Sequence, residues 1–183
     1  GGYVLKTSSS QPTIKHEGVG SDTFPSEHFT VTNTTVDVPV ASPLFSDKFD
    51  NGLSKWLNTA NAAIVDGQLA VTNNEVMRSS TGGSWTNYKF EADVKVNASN
   101  AGLVFRNVDS NNYYMWQIGA GYINCMKKVN GSWVTIKSGV GVNTLAQTWF
   151  HVKIDVNGST IKTYINGNLV DTTTDTSFAS GNV

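Results

Sequence analysis

Glu91, Arg106 and Gln117 are the side chains of this sequence whose types suit a ligand rich in hydroxyl groups, and Tyr113, Tyr114 and Trp116 supply rings beside two of them. Vicinal hydroxyls take paired donors and acceptors, which a guanidinium, a carboxamide and a carboxylate provide. The C–H face of a sugar ring lies flat on an aromatic ring. These six residues are the candidate contacts for a polysaccharide or oligosaccharide.

Other chemistries find less to work with. His16, His28 and His151 are scattered and no Ser or Cys motif accompanies them, so a nucleophilic triad has no support. Cys125 stands alone, which excludes an intrachain disulfide. Without a thiolate cluster it also argues against a structural zinc, and a small buried hydrophobe is its expected role. Thirteen basic against fourteen acidic residues give a net charge of −1. No basic cluster is present to neutralise a run of phosphates, which excludes nucleic acid as a partner. The longest apolar stretches are strand-sized and interrupted by polar residues, so none reads as a membrane span or anchor.

Rigid strands are what would hold such contacts. Charged residues are only 15% of the chain, and Ser, Thr, Asn and Gly take their place on the surface, a composition suited to short strands and tight turns. From Leu44 onward the apolar period is two. Val152, Ile154 and Val156 fall on one face and Lys153 and Asp155 on the other, before Asn157-Gly158 reverses the chain into Ile161, Thr163 and Ile165. Asp66-Gly67, Asn130-Gly131 and Asn166-Gly167 carry the same turn signal. Strands are also expected at 88–96, 101–106, 113–118, 122–129 and 133–137, at the spacing of two antiparallel sheets packed face to face.

Alternation assigns the candidates to faces. Arg106 shares a face with Val104, opposite Leu103 and Phe105, and Gln117 shares one with Tyr113 and Met115, opposite Tyr114 and Trp116. If the two strands are neighbours, Arg106 meets Gln117 or a carboxylate; a salt bridge to Glu91 or Asp93 is the alternative. At least one of the three rings is expected to face outward. Trp56, Trp85, Trp133 and Trp149 are expected as core or strand-end anchors.

Residues 1–43 differ from the rest. Ser8, Ser9, Ser10, Gln11 and Pro12 form a linker-like run, Pro25, Pro39 and Pro43 punctuate the stretch after it, and the patches 28–32 and 35–38 alternate as strands do. They read as a linker or a remnant of a preceding domain.

The order of residues from 44 to 183 resembles concanavalin A-like lectin/glucanase jelly-roll modules of the kind attached to bacterial glycoside hydrolases, such as levanases and α-L-rhamnosidases. The likeness rests on Phe45, Asp47, Phe49, Asp50, Gly52 and Leu53, then Trp56 and Asp66-Gly67-Gln68-Leu69. It continues through Trp85, Tyr88, Glu91, Asp93, Val94, the run Ala101 to Arg106, Asp109, Asn112, Tyr113, Tyr114, Asn166-Gly167, Phe178 and Gly181. The resemblance implies an all-β, two-sheet antiparallel jelly-roll sandwich. It implies a non-catalytic carbohydrate-binding module of a secreted, extracellular enzyme, with a spacer that braces the neighbouring catalytic domain as the alternative and a glycosidase in its own right as the third reading. It also implies a possible structural calcium at Asp47 and Asp50, against which stands turn capping by Asp50-Asn51-Gly52.

Two departures bear on these expectations. Glucanases of this kind carry Glu, then Asp two residues on, then a second Glu two or three residues later on one strand. Here Glu91 and Asp93 are followed by Lys95 and Val96, which breaks the acid and nucleophile pair of a retaining glycosidase. Such modules also continue past the position of Val183 into one or two more strands. Their lack predicts an unpaired sheet edge, from truncation or with cover from residues 1–43.

Overall fold

The computed structural model describes residues 3–8, 11–16, 42–72, 76–97 and 100–183, and of residues 3–16 the backbone alone. The chain divides into two compact units, Gly1–Ser42 and Pro43–Val183. In the first, β1 (Tyr3–Ser8) and β2 (Gln11–His16) pair antiparallel, with Ser8 opposite Gln11, so part of the run expected as a linker is strand. The strand patches expected at 28–32 and 35–38 lie outside the described residues.

The second unit is the expected all-β, two-sheet antiparallel sandwich. Its short pairs come first: β3 (Trp56–Leu57) with β6 (Arg78–Ser79), and β4 (Ala62–Val65) with β5 (Gln68–Val71). The main strands are β7 (Tyr88–Lys95), β8 (Asn100–Asp109), β9 (Asn112–Gly119), β10 (Tyr122–Val129), β11 (Ser132–Gly141), β12 (Trp149–Asn157), β13 (Thr160–Ile165) and β14 (Asn168–Thr174). One four-stranded sheet runs β11-β10-β9-β8 and the other β14-β13-β12-β7. No described residue is helical.

Turn chemistry sets the registers. Asp66-Gly67, Asn130-Gly131 and Asn166-Gly167 each have positive φ at both residues, the geometry of tight hairpins. At the fourth turn the register differs by one residue from a central Asn-Gly pair. Asn157 still pairs with Thr160, so Gly158 (φ 56°) and Ser159 make the reversal, while Asn87 Oδ1 accepts the Gly158 N–H at 2.8 Å.

The core lies between the sheets. Phe105, Tyr114, Trp116, Ile118, Ile123 and Cys125 enter from one side, and Val94, Phe150, Val152, Ile154, Val156, Ile161 and Ile165 from the other. The Trp116 indole N–H crosses the core to Thr163 Oγ1 at 2.8 Å, which satisfies a buried donor and a buried hydroxyl together. Two ion pairs clamp the sheets along the flank where β10 and β11 approach β14: Lys127 to Asp175 at 2.6 Å and Lys137 to Asp171 at 2.7 Å. The C-terminal segment returns to β8, where Asn107 and Asn182 exchange both backbone hydrogen bonds at 2.9 and 3.0 Å. The Ser79 N–H donates to the Val183 carbonyl at 2.6 Å.

Candidate functional site: the outer face of the first sheet

Directly paired residues of neighbouring strands share a face, so the registers name the outward side of the first sheet. Tyr113, Lys128 and Trp133 form one row across β9, β10 and β11. Val104, Met115, Met126 and Thr135 form the next, followed by Gly102, Gln117 and Asn124, then Gly119 and Tyr122. Lys128 is the only charged residue at these positions.

Trp133 ends the first row and is 47% exposed. Its ring meets Tyr113 edge to face, with centroids 5.7 Å apart, and covers it so that Tyr113 is only 2% exposed. The Lys128 ammonium lies 5.8 Å from both ring centroids. The two-residue turn Asn130-Gly131 places Trp133 where it is, because it fixes Val129 opposite Ser132 and hence Lys128 opposite Trp133. Behind this row, Asn124 Oδ1 accepts the Gly139 N–H at 2.9 Å, and Gln117 is half-buried with no hydrogen-bond partner for its carboxamide among the described residues. The result is an apolar strip with amide groups along it.

The sequence-derived contacts divide among three places. Tyr113 and Gln117 reach this face, as alternation requires. Tyr114 and Trp116 are core residues with no exposed surface, so of the three rings only Tyr113 points outward. Glu91 lies on the second sheet, away from all of these.

Arg106 departs from its expected face. Alternation along β8 breaks after Phe105, where the register with β9 shifts and Arg106 takes φ 45°. The bulge turns Arg106 inward, and it is 1% exposed. Its guanidinium donates to the carbonyls of Phe178 at 2.9 Å and Thr86 at 2.8 Å, and its backbone N–H to the Tyr88 hydroxyl at 2.8 Å. Neither Gln117 nor a carboxylate is its partner; it ties β8 to the segments before β7 and after β14. Burial pushes the Tyr88 hydroxyl up to about 12, so it stays protonated around the Arg106 contact.

The second sheet presents a different outer face. Lys89, Glu91, Asp93 and Lys95 of β7 stand opposite Asp155, Lys153, His151 and Trp149 of β12, a ladder of alternating charge. His151 Nδ1 lies 2.9 Å from Asp93 Oδ1 and its Nε2 3.5 Å from Glu91 Oε2. Trp149, 48% exposed, holds the Lys95 ammonium 5.0 Å above its ring. The pair that a glucanase would use thus faces solvent and engages a histidine.

Asp47 holds its own turn. Its oxygens accept the Phe49 N–H at 2.9 Å and the Trp56 indole N–H at 2.8 Å, and Lys55 lies 3.8 Å away. Burial raises its pKa, but these hydrogen bonds and Lys55 outweigh it and leave the carboxyl below its ordinary value. The capping expected of Asp50 falls to Asp47 here. Among the described residues no group of three or more His, Cys, Asp and Glu side chains gathers as a metal site would, and that holds at Asp47 and Asp50.

Trp133 and Lys128 were not among the sequence-derived contacts. The signal for both was the turn beside them, since counting back from Asn130-Gly131 places them opposite each other.

Two antiparallel sheets packed over one core make the second unit an all-β sandwich, and the comparisons with known proteins say which sandwich it resembles. Residues 41–182 match the model of the 3-keto-alpha-glucoside-1,2-lyase-like domain, and the chain belongs to that family. Among solved structures it is similar to the carbohydrate-binding module CBM66 from Bacillus subtilis, with 21% identity and a TM-score of 0.61 over 71% of this chain and 85% of that one. Domain 4 of an extracellular arabinanase from Geobacillus stearothermophilus, solved with arabinotriose, matches at 20% identity and a TM-score of 0.45 over 66% of this chain and 59% of that one. A comparison with curated proteins found no match.

Proposed function

We propose that this chain is a non-catalytic carbohydrate-binding module of a secreted bacterial glycoside hydrolase, and that it takes its saccharide on the outer face of the first sheet. The observation that carries the reading is Trp133: a half-exposed indole on a sheet face that has one charge and several amides. A sugar ring stacks its C–H face on that indole, with Tyr113 fixing the indole from below, while Lys128 reaches its hydroxyls and Gln117, four residues along β9 from Tyr113, meets a further unit of the saccharide. The module would hold its enzyme near a polysaccharide, where a weak tethered contact raises the effective substrate concentration. The CBM66 relative, by its own description a carbohydrate-binding module, is consistent with this.

Titration calorimetry of the chain against fructans, rhamnosides, β-glucans and pectic oligomers tests the reading. Binding by at least one of them is expected, with Trp133→Ala weakening it by about tenfold or more, since stacking on an exposed ring is worth about 1–2 kcal/mol. A silent panel, or a Trp133→Ala variant that binds unchanged, counts against it.

A brace against a neighbouring domain draws on another surface. Val65 on the β4–β5 hairpin is about half exposed and shares a face with Ala63 and Ala70, a small apolar patch separate from the sheet face. The two roles do not compete for residues.

A further inference from the structure

We infer that the sheet-face site selects saccharides that carry a carboxylate, with Lys128 as the group that reads the charge. The inference rests on the sugar-binding reading of the same face and names its ligand class. Lys128 is the single charge at the outward positions of four strands. Its ammonium is not engaged by an acid. Lys127, Lys137 and Lys55 each face a carboxylate, at 2.6, 2.7 and 3.8 Å, whereas Lys128 forms no ion pair among the described residues. Its one acceptor among the described residues is the Ser110 carbonyl at 3.2 Å, and an ammonium has three N–H bonds to give.

The neighbouring acid is occupied. Asp109 lies next to Ser110, but its oxygens accept the Asn111 N–H at 2.7 Å and the Asn112 Nδ2 at 3.0 Å. Those bonds, the backbone one first, hold its carboxyl below the ordinary value and keep it turned into its own loop. The rings add a geometric constraint. The ammonium lies 5.8 Å from both the Tyr113 and the Trp133 centroids, so a pyranose stacked on Trp133 can turn its C5 substituent toward Lys128. On a hexose that substituent is a hydroxymethyl group, and on a hexuronate it is a carboxylate that completes a charge-assisted hydrogen bond. On the second sheet Trp149 also carries a lysine, Lys95, 5.0 Å from its ring, but there the carboxylates of Asp93 and Glu91 follow along the same face.

The test is calorimetry of the full chain with oligogalacturonate and oligoalginate, each beside its methyl ester, and with a sulfated galactan. The esters keep shape and stacking surface and lose only the charge. The acid forms are expected to bind about tenfold tighter than the esters at low salt, with the margin shrinking at high salt. Lys128→Met should abolish the margin by weakening acid binding more than ester binding, and Lys128→Arg should keep it. Acid and ester binding alike, a margin that survives Lys128→Met, a preference for the sulfated galactan over both uronates, or binding to neutral glycans alone would each overturn the inference while leaving the sugar-binding reading intact. Silence from every glycan, charged or neutral, would overturn both.

Discussion

Replacing Asp175 with Asn should destabilise this fold although the change is isosteric. Asp175 comes just after β14, and its carboxylate gathers three donors: the Lys127 ammonium at 2.6 Å, the Tyr114 hydroxyl at 2.7 Å and the Ser177 N–H at 2.8 Å. The Lys127 and Asp175 side chains are 17% and 12% exposed, so solvent weakens the pair only in part. Burial raises the Asp175 pKa, but the hydrogen bonds from Lys127, Tyr114 and Ser177 outweigh it and hold the carboxyl far below the usual range. Burial first, and the hydrogen bond to Asp175 second, push Tyr114 up to about 12, so its hydroxyl remains a donor at every pH of interest.

The variant keeps the shape and loses the charge. Lys127 stays largely desolvated without its counter-ion, and the new amide presents N–H groups toward donors. Losing a charge-assisted bond of this kind costs about 1.5–3 kcal/mol, and stranding the lysine pushes the sum to about 3 kcal/mol. For a domain of this size that lowers Tm by about 6–12 °C.

The pH dependence comes from the sign of the shift. A carboxyl whose folded pKa is depressed contributes stability that is present above the unfolded value of about 3.9 and is lost as pH falls toward the folded one. The gap in unfolding free energy between the native sequence and Asp175→Asn should therefore be constant from pH 7 to about 5 and narrow below about 4. Asp47, also depressed, is common to both proteins and cancels in the difference. Urea melts at pH 7 and pH 3 provide the measurement. A gap under about 0.5 kcal/mol at pH 7, or one unchanged at pH 3, refutes the reasoning.

Two further substitutions probe the segment that ties β8 to the chain's last residues. Arg106→Met keeps the aliphatic stem but leaves the Phe178 and Thr86 carbonyls without their donors, at a cost of about 2–4 kcal/mol in a urea melt; a variant as stable as the parent would show that these bonds contribute nothing net. Gly181→Ala meets two obstacles: φ is +147°, and the new methyl would stand 2.6 Å from Asn107 N, against backbone that cannot swing away. A loss of about 2 kcal/mol or more is expected, and a Tm within about 2 °C of the parent's would mean that the segment moves aside freely.

What the sequence shows of this fold, it shows wherever a local rule decides. The β12–β13 hairpin is legible because Phe150, Val152, Ile154 and Val156 alternate with His151, Lys153 and Asp155 without interruption. Tyr113 and Gln117 fall on the outward face for the same reason. Arg106 is misplaced by alternation because that rule assumes an unbroken ladder, and one bulge hands the next residue to the other face. Nothing at 104–108 announces it: no glycine marks the positive φ, and Tyr88, whose hydroxyl receives the Arg106 N–H, stands eighteen residues away in the chain. The bulge is set by tertiary contacts that no window along β8 contains.

Trp133 fails differently. Its neighbourhood is fully specified by local signals, since the Asn130-Gly131 turn sets Lys128 against Trp133 and the Ala120-Gly121 reversal sets Lys128 against Tyr113. Composition assigns the ring to the core because large aromatics usually go there. Counting outward from two turns places it instead on an edge strand, on the side opposite Cys125 and Ile123, where no second sheet covers it. For a sandwich of this kind, register counted from turns therefore identifies surface aromatics better than hydrophobicity does, because the turn fixes which face a ring takes and hydrophobicity says only that it prefers cover.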